Sequence, residues 1–81
     1  MKAEVFVTLK RGVLDPQGQV IAQSLRALGF GEVRGVRQGK YMVVELEGVT
    51  AAEARHRLEQ MCEKLLANTV IEDYRVQIEQ E

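Results

Sequence analysis

The stretch CEKLLANTVIEDY, Cys62 to Tyr74, starts as an amphipathic helix, stops at an asparagine, and resumes with branched residues, two carboxylates and a tyrosine. Either Glu72, Asp73 and Tyr74 form a cluster of acid–base groups, or the stretch marks where a helix hands over to a strand. Alternation along a strand sends Asp73 to the face opposite Glu72 and Tyr74. A helix C-terminus also repels carboxylates. The handover is therefore the reading that fits, and it defines the last two elements. Upstream, Ala54, Leu58, Met61, Cys62 and Leu65 make one apolar helical stripe. Thr50 and Glu53 are a T-x-x-E capping box at its start, and Asn68 is placed to close it. Downstream, Tyr74, Val76 and Ile78 share one strand face, with Asp73, Arg75, Gln77 and Glu79 on the other.

The same reading extends towards the N-terminus. Ala3, Val5, Val7 and Leu9 alternate with Glu4, Phe6, Thr8 and Lys10, which predicts a first strand. Asp15 followed by Pro16 is an N-cap and a first-turn proline; Ile21, Leu25 and Leu28 recur at helical spacing, with Val20 beside them, until Gly29 offers a left-handed cap. A helix of about 13 residues spans roughly 20 Å, close to a seven-residue strand, so the two are expected to pack along their lengths. A short second strand is expected over Glu32 to Gln38, with Gly39 and Lys40 turning it into a third strand, YMVVELE, from Tyr41 to Glu47. The predicted order is βαββαβ. Right-handed crossovers would place both helices on one face of a four-stranded antiparallel sheet, an α+β ferredoxin-like sandwich formed by residues 1–81 as a single domain.

Bulk composition narrows the function classes. Lys plus Arg (11) nearly balances Asp plus Glu (12), unlike the basic footprint of a general nucleic-acid binder, and beyond charges such as Glu79 and Glu81 no acidic tail develops. The single cysteine excludes an internal disulfide, and no Cys/His spacing suits zinc. The alternating N-terminus lacks the apolar run of a signal peptide, and nothing has the length of a membrane span, so a cytoplasmic protein is expected. A chain this short buries only about 60 to 65% of its unfolded surface, so partners are expected.

Individual residues offer little catalytic chemistry. His56, between Arg55 and Arg57, falls on the solvent side of its helix, and Cys62 sits within the apolar stripe without a base to activate it. Gly29 and Gly31 follow a helix, whereas phosphate-loop glycines follow a strand. Arg34, Arg37 and Lys40 form a basic strip that suits either an anionic partner or protection of an edge strand. The uncovered sheet face would carry Phe6, Thr8, Tyr41 and Val43, too few aromatics for base stacking and better suited to burial against another subunit.

Three blocks taken together, VLDPQG (Val13 to Gly18), VRQGKYM (Val36 to Met42) and CEKLLANTVIEDY, resemble the small PurS subunit of bacterial and archaeal phosphoribosylformylglycinamidine synthase, and the likeness runs over essentially the whole chain. The resemblance implies a component of de novo purine synthesis. The family's complex converts formylglycinamide ribonucleotide, ATP and glutamine into formylglycinamidine ribonucleotide, ADP, phosphate and glutamate. A PurL-type synthetase subunit uses ATP and Mg, and a PurQ-type glutaminase subunit releases ammonia. The PurS-like chain is implied to carry no catalytic residue, cofactor or metal, to form a homodimer or dimer of dimers, and to hold the two catalytic subunits together. Candidate subunit-contact residues on this reading are Phe6, Asp15, Gln17, Arg37, Lys40, Tyr41, Val43, Asp73 and Arg75. Fold alone would also permit a dimeric small-molecule regulatory module or an acylphosphatase-like enzyme. Lys10, Arg11 and Gly12 are only a faint echo of the anion loop that the enzyme would need.

Overall fold

The computed structural model describes residues 1–79; Gln80 and Glu81, the end of the expected 1–81 unit, lie outside the described residues. Its elements are β1 (Lys2–Leu9), α1 (Pro16–Ala27), β2 (Gly39–Glu45), α2 (Ala51–Met61), a π-helical turn continuing α2 (Cys62–Leu66), and β3 (Glu72–Glu79). The strands form one antiparallel sheet in the order β2-β1-β3. β1 is central because its inward residues Ala3, Val5 and Val7 are all fully buried, which requires a neighbour on each side as well as a cover. Val5 lies opposite Met42 in β2 and Val76 in β3.

The cover is α2. Ala54, Leu58 and Cys62 follow one another at four-residue steps, and all three are fully buried against that sheet face. Burial of a side chain the size of Leu58 stabilises the fold by about 1.5 to 3 kcal/mol. Thr50 starts the helix as expected: its Oγ1 accepts from the Glu53 amide at 3.2 Å and its hydroxyl donates to Glu53 Oε1 at 3.1 Å. The end of the stripe differs from expectation. The Ala67 amide donates to the Cys62 carbonyl at 3.0 Å, closing a turn five residues wide. That wider turn carries an extra residue, so Leu66 and Ala67 take the inner positions. Leu65, expected in the core, is 83% exposed.

Two larger expectations are corrected. The sheet of the described residues has three strands, since Glu32 to Gln38 is neither a strand nor half of a hairpin. Val33 and Val36 are three apart with Gly35 between them, a spacing that cannot line one face of a strand. Gly39 and Lys40 are accordingly not a turn but the start of β2. Gly39 pairs with Thr8, and a Cβ there would fall on the Val7 carbonyl oxygen.

The second correction concerns α1, which lays no extensive face on the sheet. The radius of gyration is 16.1 Å, against roughly 12 Å for a compact unit of this length, and the principal extents are 50 × 29 × 14 Å. The helix projects from one end and is held at its start. Asp15 caps it, accepting from the Gly18 amide at 2.8 Å through Oδ1, while its Oδ2 accepts from the Gln38 amide at 2.7 Å. Gly18 and Ala22 are buried, and Val36 packs so close that a Cβ on Gly18 would strike its carbonyl oxygen. Leu28 and Gly29, the latter at φ +108°, end the helix as the glycine cap predicts.

Candidate functional site: the open face of the sheet

Because α2 covers one side of the sheet and α1 projects away, the other side is uncovered. Alternation delivers to it Glu4, Phe6 and Thr8 from β1, Tyr41 and Val43 from β2, and Asp73 and Arg75 from β3. Phe6 is in register with Tyr41 on one side and with Arg75 on the other. The Phe6 and Tyr41 rings have centroids 5.2 Å apart, tilted by 38°. The Arg75 guanidinium carbon sits 4.3 Å from the Phe6 centroid, in cation–π range. The Tyr41 hydroxyl donates to Glu4 Oε2 at 2.7 Å. That bond, with some desolvation and the Glu4 charge, raises the phenol above its ordinary pKa, so Tyr41 stays a neutral donor.

Tyr41 and Val43 are more than half exposed although both are large and apolar. An aromatic pair backed by an arginine and rimmed by carboxylates is the composition of a protein-contact surface. Among the described residues, no group of three His, Cys, Asp or Glu is placed to hold a metal ion.

Of the nine candidate contact residues, the structure brings five onto this face: Phe6, Tyr41, Val43, Asp73 and Arg75. The other four lie elsewhere. Asp15 is buried and structural, held below the usual carboxylate range by the Gln38 and Gly18 amides and by the Arg37 charge. Gln17 is exposed on the first turn of α1. Arg37 donates to the carbonyls of Val13, Leu9 and Lys10 at 3.2, 3.1 and 2.9 Å, bracing the turn after β1. Lys40 points to the other side of the sheet, its Nζ 3.7 Å from Glu72 Oε2. Glu4 is the residue that sequence reasoning passed over; its place two before Phe6 was the available signal.

The Cys62 to Tyr74 stretch resolves as a joint. Asn68 does not close the helix in a left-handed conformation, since only glycines have positive φ among the described residues. It forms an Asx turn instead, with Oδ1 accepting from the Val70 amide at 3.2 Å. The Asn68 carbonyl accepts from the amides of Ile71 and Glu72, and Glu72 Oε1 accepts from the Asn68 amide at 2.7 Å. Glu72 is thus spent on holding the turn. The Cys62 thiol is pushed up by burial, then by the Glu63 and Glu59 charges, which suppresses the reactive thiolate.

Compared with known families, residues 2–80 match PurS, described as phosphoribosylformylglycinamidine (FGAM) synthase. The chain belongs to the PurS family. The phosphoribosylformylglycinamidine synthase subunit PurS of Bacillus subtilis (strain 168) is 47% identical over 79 residues, 98% of this chain and 93% of that protein. The crystal structure of PurS from Methanocaldococcus jannaschii superposes with a TM-score of 0.89 at 40% identity, covering 99% of this chain and 96% of that one. A chain from the structure of PurLQS from Thermotoga maritima superposes with a TM-score of 0.86 at 33% identity, covering 94% and 93% respectively. The PurS likeness takes in the open sheet face and the projecting helix alike.

Proposed function

We propose that this chain is the PurS subunit of FGAM synthase, a part of a glutamine-dependent ligase of purine biosynthesis that performs no chemical step itself. The observation that carries this reading is the near-full-length likeness to PurS, including a chain of the Thermotoga maritima PurLQS structure. The M. jannaschii relative is described as one of the subunits of formylglycinamide ribonucleotide amidotransferase in the purine biosynthetic pathway, which also supports a cytoplasmic location. On this reading the chain holds a PurL-type synthetase and a PurQ-type glutaminase together. Ammonia released from glutamine then reaches the ATP-activated amide without escaping. ATP and Mg belong to the synthetase, and the open face around Phe6, Tyr41 and Arg75 is a docking surface.

Self-association is part of the same proposal. Val20, Ile21 and Leu28 line an exposed apolar side of α1 that this chain's own sheet leaves bare. A second copy is the natural cover. The ferredoxin-like four-stranded sheet would be completed at the free outer edge of β2, where a strand of a second copy could pair. The test is capture from the native cytosol with this chain as bait. Recovery of a synthetase and a glutaminase supports the assignment; recovery of neither refutes it.

A further inference from the structure

α1 has two opposite sides. At roughly 100° per residue, Val20, Ile21 and Leu28 fall on one, while Gln19, Gln23 and Arg26 fall on the other. The second side faces the segment 34–37 across a cleft of about 640 Å³, which the turn at residues 12–15 also lines. Three guanidiniums line this cleft, those of Arg26, Arg34 and Arg37, against the single carboxylate of Asp15.

Both oxygens of Asp15 are already engaged by backbone amides. Among the described residues no carboxylate forms an ion pair with the three arginines; the ion pair found there is Lys40 with Glu72. Arg26 donates through Nε to the Val33 carbonyl at 2.8 Å and through NH2 to the Arg34 carbonyl at 3.1 Å, and Arg37 braces the turn after β1. Carbonyl partners orient a guanidinium without neutralising it. The Arg34 side chain donates no hydrogen bond to the described residues, so its planar fork is free. The chain as a whole carries a formal charge of −1, so the cleft reverses the sign of the protein around it.

We propose that this cleft binds a phosphate-bearing small molecule, with Arg34 supplying the fork and the braced Arg26 and Arg37 supplying fixed positive charge. Arginine forks match phosphate oxygens bidentately, and donors already fixed in place lose little entropy on binding. The volume lies within the ordinary range of small-ligand sites, about 300 to 1,000 Å³. A cleft of this size lined by α1, the turn at residues 12–15 and the segment 34–37 suits a compact anion better than a continuous acidic segment of another protein. Val13 and Val36 add an apolar wall for the rest of the ligand. Because Val20, Ile21 and Leu28 lie on the far side of α1, a second copy seated there leaves the cleft open.

Calorimetric titration of the full chain with inorganic pyrophosphate tests the proposal. Arg34→Ala should weaken saturable binding roughly tenfold, the size of one charge-assisted contact. Arg34→Lys should fall between, keeping the charge and losing the fork. Arg55→Ala removes the same charge from the exposed side of α2 and should bind as the unaltered chain does. Circular dichroism should show all variants folded. Absence of saturable heat would overturn the proposal, as would equal weakening by Arg34→Ala and Arg55→Ala. A poly-glutamate peptide that bound where pyrophosphate did not would overturn it in favour of a protein ligand.

Discussion

The Asp15 carboxylate and the Gln38 amide, 23 residues apart, meet at 2.7 Å and tie the start of α1 to the start of β2. With the Gly18 amide on its other oxygen, Asp15 is the pivot on which the projecting helix stands. Its pKa is lowered first by the Gln38 amide, then by the Gly18 amide, with Arg37 adding to both. A carboxyl with a depressed folded pKa contributes stability that is complete above its unfolded value, near about 4, and is lost as pH falls through the folded value. Asp15→Asn sets amide hydrogens against at least one of the two backbone donors. Urea unfolding should show Asp15→Asn less stable than the unaltered chain at neutral pH, and the gap should be constant down to about pH 5 and shrink below it. A gap that persisted unchanged at pH 2 would refute the role given to the charge.

Gly18 should be intolerant despite lying in a helix, where alanine is ordinarily better by about 1 kcal/mol. A Cβ there would meet the Val36 carbonyl oxygen and stand 2.8 Å from Asp15 Oδ2. Gly18→Ala is expected to cost about 1 to 3 kcal/mol net, through displacement of the 36–38 segment. Gly35→Ala, whose Cβ would enter open space, should change stability by no more than about 0.5 kcal/mol. Equal melting temperatures for the two variants would remove the claim that Gly18 sets this contact.

The parts of the fold legible in the sequence are those governed by local period and local capping. Ala3, Val5 and Val7 alternate, Ala54, Leu58 and Cys62 step by four, and Asp15, Gly29 and Thr50 cap as their chemistry dictates. The location of α1 was not legible: an apolar stripe shows that a helix needs a cover, and equal lengths show only that its own sheet could serve. The π-helical turn was hidden because a one-residue widening leaves the upstream spacing intact and changes only which of Leu65, Leu66 and Ala67 face inward. For the site, alternation alone was enough to gather Phe6, Tyr41, Val43, Asp73 and Arg75 on one face. The structural duties of Asp15, Arg37 and Lys40 depend on partners in other elements, 28 residues away for Arg37 with Leu9 and 32 for Lys40 with Glu72, and no local pattern announces them.

Helix α2 offers a ranking that separates the sequence expectation from the structure. Leu58→Ala should cost about 2 to 5 kcal/mol, and Thr50→Ala about 1 kcal/mol through its cap. Leu65→Ala should cost no more than about 0.5 kcal/mol in the isolated chain, because the π-helical turn puts Leu65 outside. Chemical denaturation of the three variants checks the order. A Leu65 effect comparable with that of Leu58 would mean that the last turn is α-helical.

Self-association should depend on the bare side of α1, where Val20 is 60% and Leu28 75% exposed. A stable dimer buries roughly 800 Å² per partner. Light scattering at micromolar concentration should report a dimer or larger for the unaltered chain. Ile21→Glu should shift it to monomer while leaving the far-ultraviolet circular dichroism unchanged. A monomeric mass for the unaltered chain would sink this prediction.

An assembly subunit and a catalytic one answer differently to surface changes, and the open face allows the two to be told apart. Tyr41→Ala and Arg75→Glu remove the ring that stacks on Phe6 and the cation above it, leaving the buried core untouched. Thermal stability should stay close to that of the unaltered chain, since exposed substitutions usually lie within about ±0.5 kcal/mol and a cation–π pair of this kind adds about 0.5 to 1 kcal/mol. Co-elution with the synthetase and the glutaminase should weaken. Glutamine-dependent synthesis should fall with it, because ammonia would be released away from the activated amide, yet ammonia supplied in excess should restore the reaction on the synthetase. A variant defective with ammonia as well would place these residues close to the chemistry. Full glutamine-dependent activity and normal co-elution in both variants would move the docking surface off this face, making the Asp15 to Gly18 turn and the first helical turn around Gln17 the next place to look.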